Sequence, residues 1–232
     1  MHTHYRHIFV LMQRVQDAVI DDYSRYQFIQ CSAVKAAQLS RQFAAEYETE
    51  ITKQARYRRK MAGIAKARFF SVEEEGTVAG FLMATEGKGL IGRETMHDPT
   101  KKRITLGSYE LVHDGVGWSW RLTQETIKQW RKRIHDAIAR DNLEQLLTTI
   151  RYLYRSAGFR IVRKQIGQLA SYIRGEWRRL RKGVPPDLPT FLYYMRRLPD
   201  DWTPSGAAPS SIARGRPQKP HFVELPAVQS KN

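Results

Sequence analysis

At 232 residues the chain is long enough for one substantial domain or two small ones, and its 41% apolar content fills a core, which excludes a chain disordered throughout. Lys and Arg total 39 against 23 Asp and Glu, a formal charge of +16 carried mostly by arginine. Such an excess repels itself in a compact fold unless a polyanion offsets it, and the planar guanidinium suits phosphates and base edges, so DNA or RNA is the expected partner ahead of an anionic membrane or an acidic protein.

In chain order, Tyr5 to Val15 mixes aromatic and β-branched residues around Ile8, Phe9, Val10 and Leu11 and reads as a core strand. Asp17 to Tyr26 reads as a loop or an extension of that strand. Ser32 is a predicted N-cap, after which Ala36, Leu39, Phe43 and Tyr47 recur at helical spacing. A basic stretch without any acid runs from Lys53 to Arg68. Ala67–Val72 and Thr77–Thr85 are predicted strands of a hairpin that turns at Glu73-Glu74-Glu75-Gly76, and 86–102, with Gly87, Gly89, Gly92 and Pro99, is a long exposed loop. Arg103–His113 reads as one strand interrupted by a bulge at Gly107, turning at Asp114-Gly115 into a partner at Trp118–Leu122.

From Thr123, a candidate cap, the pattern turns helical: Ile127, Trp130, Ile134 and Ile138, then Leu143, Leu146, Leu147 and Ile150 behind Asp141 or Asn142. The clearest helix follows, with Val162, Ile166, Leu169, Ile173, Trp177 and Leu180 on one stripe and Gly183, Pro185 and Pro186 as its stop. Nine of the ten prolines lie after position 184. Pro185–Pro199, with Phe191, Leu192, Tyr193, Tyr194 and Met195, is expected to pack back, and the chain after Asp200 to be a disordered tail. The fold class is therefore α+β. Residues 1–122 form a small antiparallel sheet with a packed helix, compatible with the split βαβ arrangement of ferredoxin and RNA-recognition folds. Residues 123–199 form a basic helical domain packing on it, and 200–232 the tail.

Three cationic clusters are the candidate interface. The strongest is Arg160, Arg163, Lys164, Arg174, Arg178, Arg179, Arg181 and Lys182, opposite the apolar stripe of the last helix and with Glu176 as its one acid. The second is Arg56, Arg58, Arg59 and Lys60 around Tyr57; the third is Lys128, Arg131, Lys132 and Arg133 beside Trp130. Tyr57, Trp118 and Trp120 are candidates to stack on exposed bases, whereas Trp130 and Trp177 fall on apolar stripes and read as core.

For catalysis the candidates are His113, at a strand end before a turn, and His7, with Arg121 or Lys88 as the accompanying cation; metal-free RNA cleavage needs such a base and such a charge. No cofactor and no metal are expected, because His2, His4 and His7 have no Cys, Asp or Glu near them in sequence. Gly87-Lys-Gly89 and Gly115-Val-Gly117 lack the Lys-Ser/Thr and helix of a nucleotide-binding loop and read as turns. The lone Cys31 excludes an internal disulfide, and no signal peptide or membrane span is legible, so the expected setting is cytoplasmic.

At Gly107-Ser-Tyr-Glu-Leu-Val-His113, Trp118-Ser-Trp-Arg-Leu-Thr123, Tyr154-Arg-Ser-Ala-Gly-Phe159 and Glu176-Trp-Arg-Arg179 the chain resembles basic proteins carried by bacterial plasmids and integrative elements. The resemblance is one of general texture across residues 5–199 and implies a role in replication, transfer or maintenance of mobile DNA, within a nucleoprotein complex. The first expectation is therefore a DNA- or RNA-binding protein. A metal-independent endoribonuclease and a basic scaffold for an acidic protein are the alternatives.

Overall fold

The computed structural model describes residues 3–74 and 76–203. Among these the chain falls into two units, the first comprising 3–123, 159–161 and 195–203, the second 124–158 and 162–194. The architecture is α+β, with two small sheets and six helices among the described residues. Residues 204–232 of the expected tail, Glu75 of the expected hairpin turn and His2 lie outside the described residues.

The first sheet of unit 1 has the order β1 (Thr3–Tyr5), β3 (Ala67–Glu74), β4 (Thr77–Ala84), β2 (Arg25–Ser32). β1 runs parallel to β3, and β4 pairs antiparallel with both β3 and β2 along its whole length. β2 and β3 are thus parallel strands flanking β4, joined by α2 (Ala33–Tyr47) and α3 (Lys53–Met61), which is a split βαβ unit. Strict alternation sends Phe69 and Leu82, paired across β3 and β4, to one face, where they pack with Phe43 of α2, Ala65, Ala67, Ala84 and Ile91. Phe70 and Phe81 point the other way and meet Tyr5, Tyr26 and Phe28.

Residues 8–20, expected as strand and loop, are the helix α1 (Ile8–Ile20). His7 caps it, its Nδ1 accepting the Phe9 N–H at 3.1 Å. The strand reading fails because Val10, Leu11, Met12, Gln13, Arg14 and Val15 are all buried, so the helical period is masked along the middle of the segment. The buried polar pair is held by the returning segment 195–203, with Arg14 Nη1 left without a hydrogen bond, 3.8 Å from Asp17. Gln13 donates to the Arg196 carbonyl (2.8 Å) and accepts from the Leu198 N–H (2.9 Å), while Arg14 donates to the Leu198 carbonyl (2.5 Å) and to Asp200 (2.6 Å). Trp202 packs edge-on against His7 at 4.7 Å, so residues 200–203 belong to a packed segment rather than to the tail expected from Asp200.

The second sheet orders β5 (Thr105–Leu106), β6 (Tyr109–His113) and β7 (Trp118–Leu122) as an antiparallel meander. Gly107, at φ 54°, is the left-handed corner of a turn between β5 and β6, so the expected single strand with a bulge is two strands. Trp120 is fully buried and donates its indole N–H to the Met12 carbonyl of α1 at 2.8 Å.

Unit 2 holds α4 (Gln124–Ala139), α5 (Leu143–Leu153) and, from residue 162 onward, α6 (Arg160–Leu180). Trp130, Ile134 and Ile138, Leu146, Ile150 and Leu153, and Val162, Ile166, Leu169 and Ile173 are their buried faces. Asn142 caps α5 through the Gln145 N–H at 2.9 Å. No helix among the described residues is long and apolar enough to cross a membrane.

Trp120 joins a fully buried ring to a hydrogen bond on α1, so Trp120→Ala is expected to lower stability by about 3–5 kcal/mol in urea unfolding. A cost below about 1 kcal/mol would show that the ring does not organise unit 1.

Candidate nucleic-acid interface

α3 carries five cations in nine residues, Lys53, Arg56, Arg58, Arg59 and Lys60, with no acid and no buried side chain. Thr52 caps its start, accepting from the Ala55 N–H at 3.2 Å, and Arg58, Arg59 and Lys60 sit in the last turn, where the helix dipole favours cations. Two of the five are committed to the fold: Arg56 donates to the Ile51 carbonyl (2.8 Å), and Arg59 to the Ala65 carbonyl (3.2 Å) and to Glu48. Lys60 lies 3.9 Å from Asp22, a loose contact in water. The side chains of Lys53 and Arg58 are exposed and have no hydrogen bond or ion pair with any described residue. Tyr57 is 63% exposed, with Lys53 one turn before it and Lys60 and Met61 one turn after. Just beyond, burial foremost and then repulsion from Lys60 pull the pKa of Lys66 down.

The eight cations expected on α6 divide in half. Arg160 grips Asp114 through two hydrogen bonds (2.5 and 2.8 Å), Arg163 donates to the Leu192 carbonyl (2.8 Å), Arg179 pairs with Glu176 (2.7 Å), and Arg181 donates to the Ile138 carbonyl (2.8 Å). These four are structural. Lys164, Arg174, Arg178 and Lys182 are exposed and make no hydrogen bond or ion pair with any described residue. Lys164, Arg174 and Arg178 fall on the outer face together with Gly167, Ser171 and Gly175, all exposed. A Cβ added at either glycine would meet nothing within 4 Å. Glu176 is held below the usual carboxylate range, first by Arg179 and then by His135, whose Nδ1 is 2.8 Å away.

The third cluster is mixed. Arg131 lies over the Tyr172 ring at 5.6 Å and Arg133 over Trp130 at 5.4 Å, with burial drawing the pKa of Arg133 down. Trp130 is buried, as its stripe position implies, and only Lys128 and Lys132 of this cluster are exposed and unpaired.

Among the stacking candidates Trp120 has no open face, since it is fully buried. Trp118 is half-buried and meets the His113 ring edge-on at 5.5 Å; Tyr57 is open. His113 is exposed, with its Nδ1 accepting the Gly115 N–H at 3.2 Å, and the cation expected beside it, Arg121, is paired with Glu110 at 2.8 Å. His7 is a buried cap, with Phe9 and Trp202 against its ring. Among the described residues no group of three or more His, Cys, Asp or Glu stands together as a metal site. A cavity of about 350 Å³ in unit 1 is lined by Arg14, Arg68, Arg197, Asp17, Asp21 and Asp200, three cations facing three anions.

Sequence reasoning missed Phe191, Tyr193 and Tyr194. It read them as packing, yet all three are exposed and only Leu192 between them is buried. Their signal is composition: an aromatic run inside a proline-rich stretch has no period of its own to bury it. Compared with known protein families, with curated proteins and with solved structures, the chain matches none.

The Arg160 guanidinium holds the Asp114 carboxyl well below the usual carboxylate range, helped by the N–H groups of Gly117 and Val116. A depressed pKa adds stability above the unfolded value, near 4, and loses it as the pH falls toward the folded value. Asp114→Asn is therefore expected to lower Tm at neutral pH, and its difference from wild type to shrink between about pH 5 and pH 2. A difference that stays constant over that range would show that the ion pair contributes nothing to folding.

Proposed function

We propose that the chain binds nucleic acid, with α3 and the outer face of α6 each lying on phosphates. The observation that carries this reading is α3: a helix with five cations, no acid and not one buried side chain. Like charges three and four positions apart, such as Lys53 with Arg56 and Arg56 with Lys60, destabilise a helix by a few tenths of a kcal/mol each, and no fully buried side chain on this helix offsets them. A polyanion removes that repulsion and releases its own condensed counterions on doing so.

The outer face of α6 supports the same reading. Gly167 and Gly175 each cost about 1 kcal/mol relative to alanine within a helix, and neither is required by a neighbouring atom. Small residues between Lys164, Arg174 and Arg178 leave the helix open to close approach by a phosphate backbone. The setting proposed with this function, replication, transfer or maintenance of mobile DNA, rests on the sequence resemblance.

Binding to labelled single- and double-stranded DNA and RNA is expected to weaken steeply with salt. Lys53→Gln/Arg58→Gln should reduce the slope of log K against log salt by about two, at unchanged circular dichroism because neither side chain is buried. Lys164→Gln/Arg174→Gln should act similarly. Binding that ignores salt, or that both double variants leave intact, rules the reading out.

A further inference from the structure

The end of unit 2 presents three aromatic rings to water beside a cationic helix. Pro185, Pro186 and Pro189 fix φ along the irregular backbone after α6, and Leu192 anchors it: its side chain is buried, and its carbonyl accepts the Arg163 Nε–H at 2.8 Å. Around that anchor Phe191, Tyr193 and Tyr194 are 53%, 58% and 65% exposed. Phe191 and Tyr193 meet edge to face, their centroids 5.0 Å apart at 69°, so the edge of one ring covers one face of the other and leaves the remaining ring surface to water. Lys164, the residue after the anchoring arginine, is exposed and unpaired, and no acid occurs between Asp187 and Asp200.

We infer that Phe191, Tyr193 and Tyr194 form a stacking platform for the unpaired bases of single-stranded nucleic acid, while Lys164 and Arg174 hold the same strand's phosphates. The inference rests on the phosphate-binding reading above and adds the substrate class. Open ring faces gain from a base only if that base is not already stacked in a duplex, and every base offers such a face whatever its identity. Lys164 and Arg174 stand ten residues apart, about 15 Å along the helix, so the strand would follow α6 away from the platform. The charge around the rings is wholly cationic in sequence, which favours a polyanion with flat apolar groups over an apolar protein surface.

The test uses the full chain, labelled dT15 and rU15, a matched duplex, inorganic polyphosphate as phosphate without bases, and poly-glutamate as an acidic peptide. Wild type is expected to bind the single strands more tightly than the duplex or polyphosphate at equal salt. Phe191→Leu/Tyr193→Leu/Tyr194→Leu should weaken dT15 and rU15 by about 10-fold or more and leave polyphosphate unchanged, a result that loss of fold would not give. Lys164→Gln/Arg174→Gln should weaken all of the phosphate ligands together. Equal binding of dT15 by the aromatic variant, a wild-type preference for duplex, or tighter binding of poly-glutamate than of dT15 would each overturn the platform. With polyphosphate still bound, the phosphate reading survives those results; failure to bind any nucleic acid or polyphosphate sinks both.

Discussion

Burial of the middle of α1 is the constraint from which unit 1 follows. Six consecutive residues, Val10 to Val15, are withdrawn from water, and two of them are polar. A buried amide and guanidinium left unpaired would cost more than a helix of this length contributes, so other segments must come to them. Residues 196–200 supply carbonyls, an N–H and a carboxylate from more than 180 positions away, and β7 brings the Trp120 indole to the Met12 carbonyl. The ends of the described chain are joined because the middle of α1 needs partners.

A second constraint is the sorting of positive charge. The excess of +16 treats every cation alike, but many guanidinium groups are consumed by the backbone. Arg25 reaches the Gly92 and Glu94 carbonyls, Arg56 that of Ile51, Arg163 that of Leu192 and Arg181 that of Ile138. Five donors in a rigid fork make arginine a clamp for loop and helix ends, and a clamp is unavailable to a ligand without loss of fold. Within the three cationic clusters, what remains unpaired among the described residues is Lys53 and Arg58 on α3, Lys164, Arg174, Arg178 and Lys182 on and after α6, and Lys128 and Lys132 on α4. Lysine is over-represented in that remainder relative to the arginine-rich whole, as expected when the residues that clamp are removed from it.

Legibility in sequence follows the same physics. The β3–β4 hairpin, the caps at Ser32 and Asn142 and the stripe of α6 are local patterns, and the structure has them where the pattern lies. α1 was illegible because six consecutive buried residues, Val10 to Val15, mask its stripe, and its β-branched residues mimic a strand. The division at Gly107 was illegible because a turn and a bulge share the same glycine signal and differ only in the register of the partner strand. In the candidate site the basic stretches were visible, but which cations are spent was not. For Arg56, Arg163 and Arg181 the acceptors are carbonyls, which carry no letter in the sequence, and for Arg163 the acceptor is 29 residues away.

The tryptophans illustrate why base contact is harder to read than phosphate contact. A large ring contributes most when it is covered, so a fold that can bury it does, as with Trp120 and Trp130. A ring left in the open must be held there by something other than its own burial. Tyr57 stands on a helix fastened by a cap, by carbonyl clamps and by the Glu48 ion pair rather than by packing. Phe191 and Tyr193 stand on backbone fastened by Leu192 and Arg163. In both places the anchor and the exposed ring are different residues, and the anchor includes an arginine that the charge count had assigned to the ligand. The cations nearest the rings therefore divide into those that aim the rings and those that remain free to meet a phosphate.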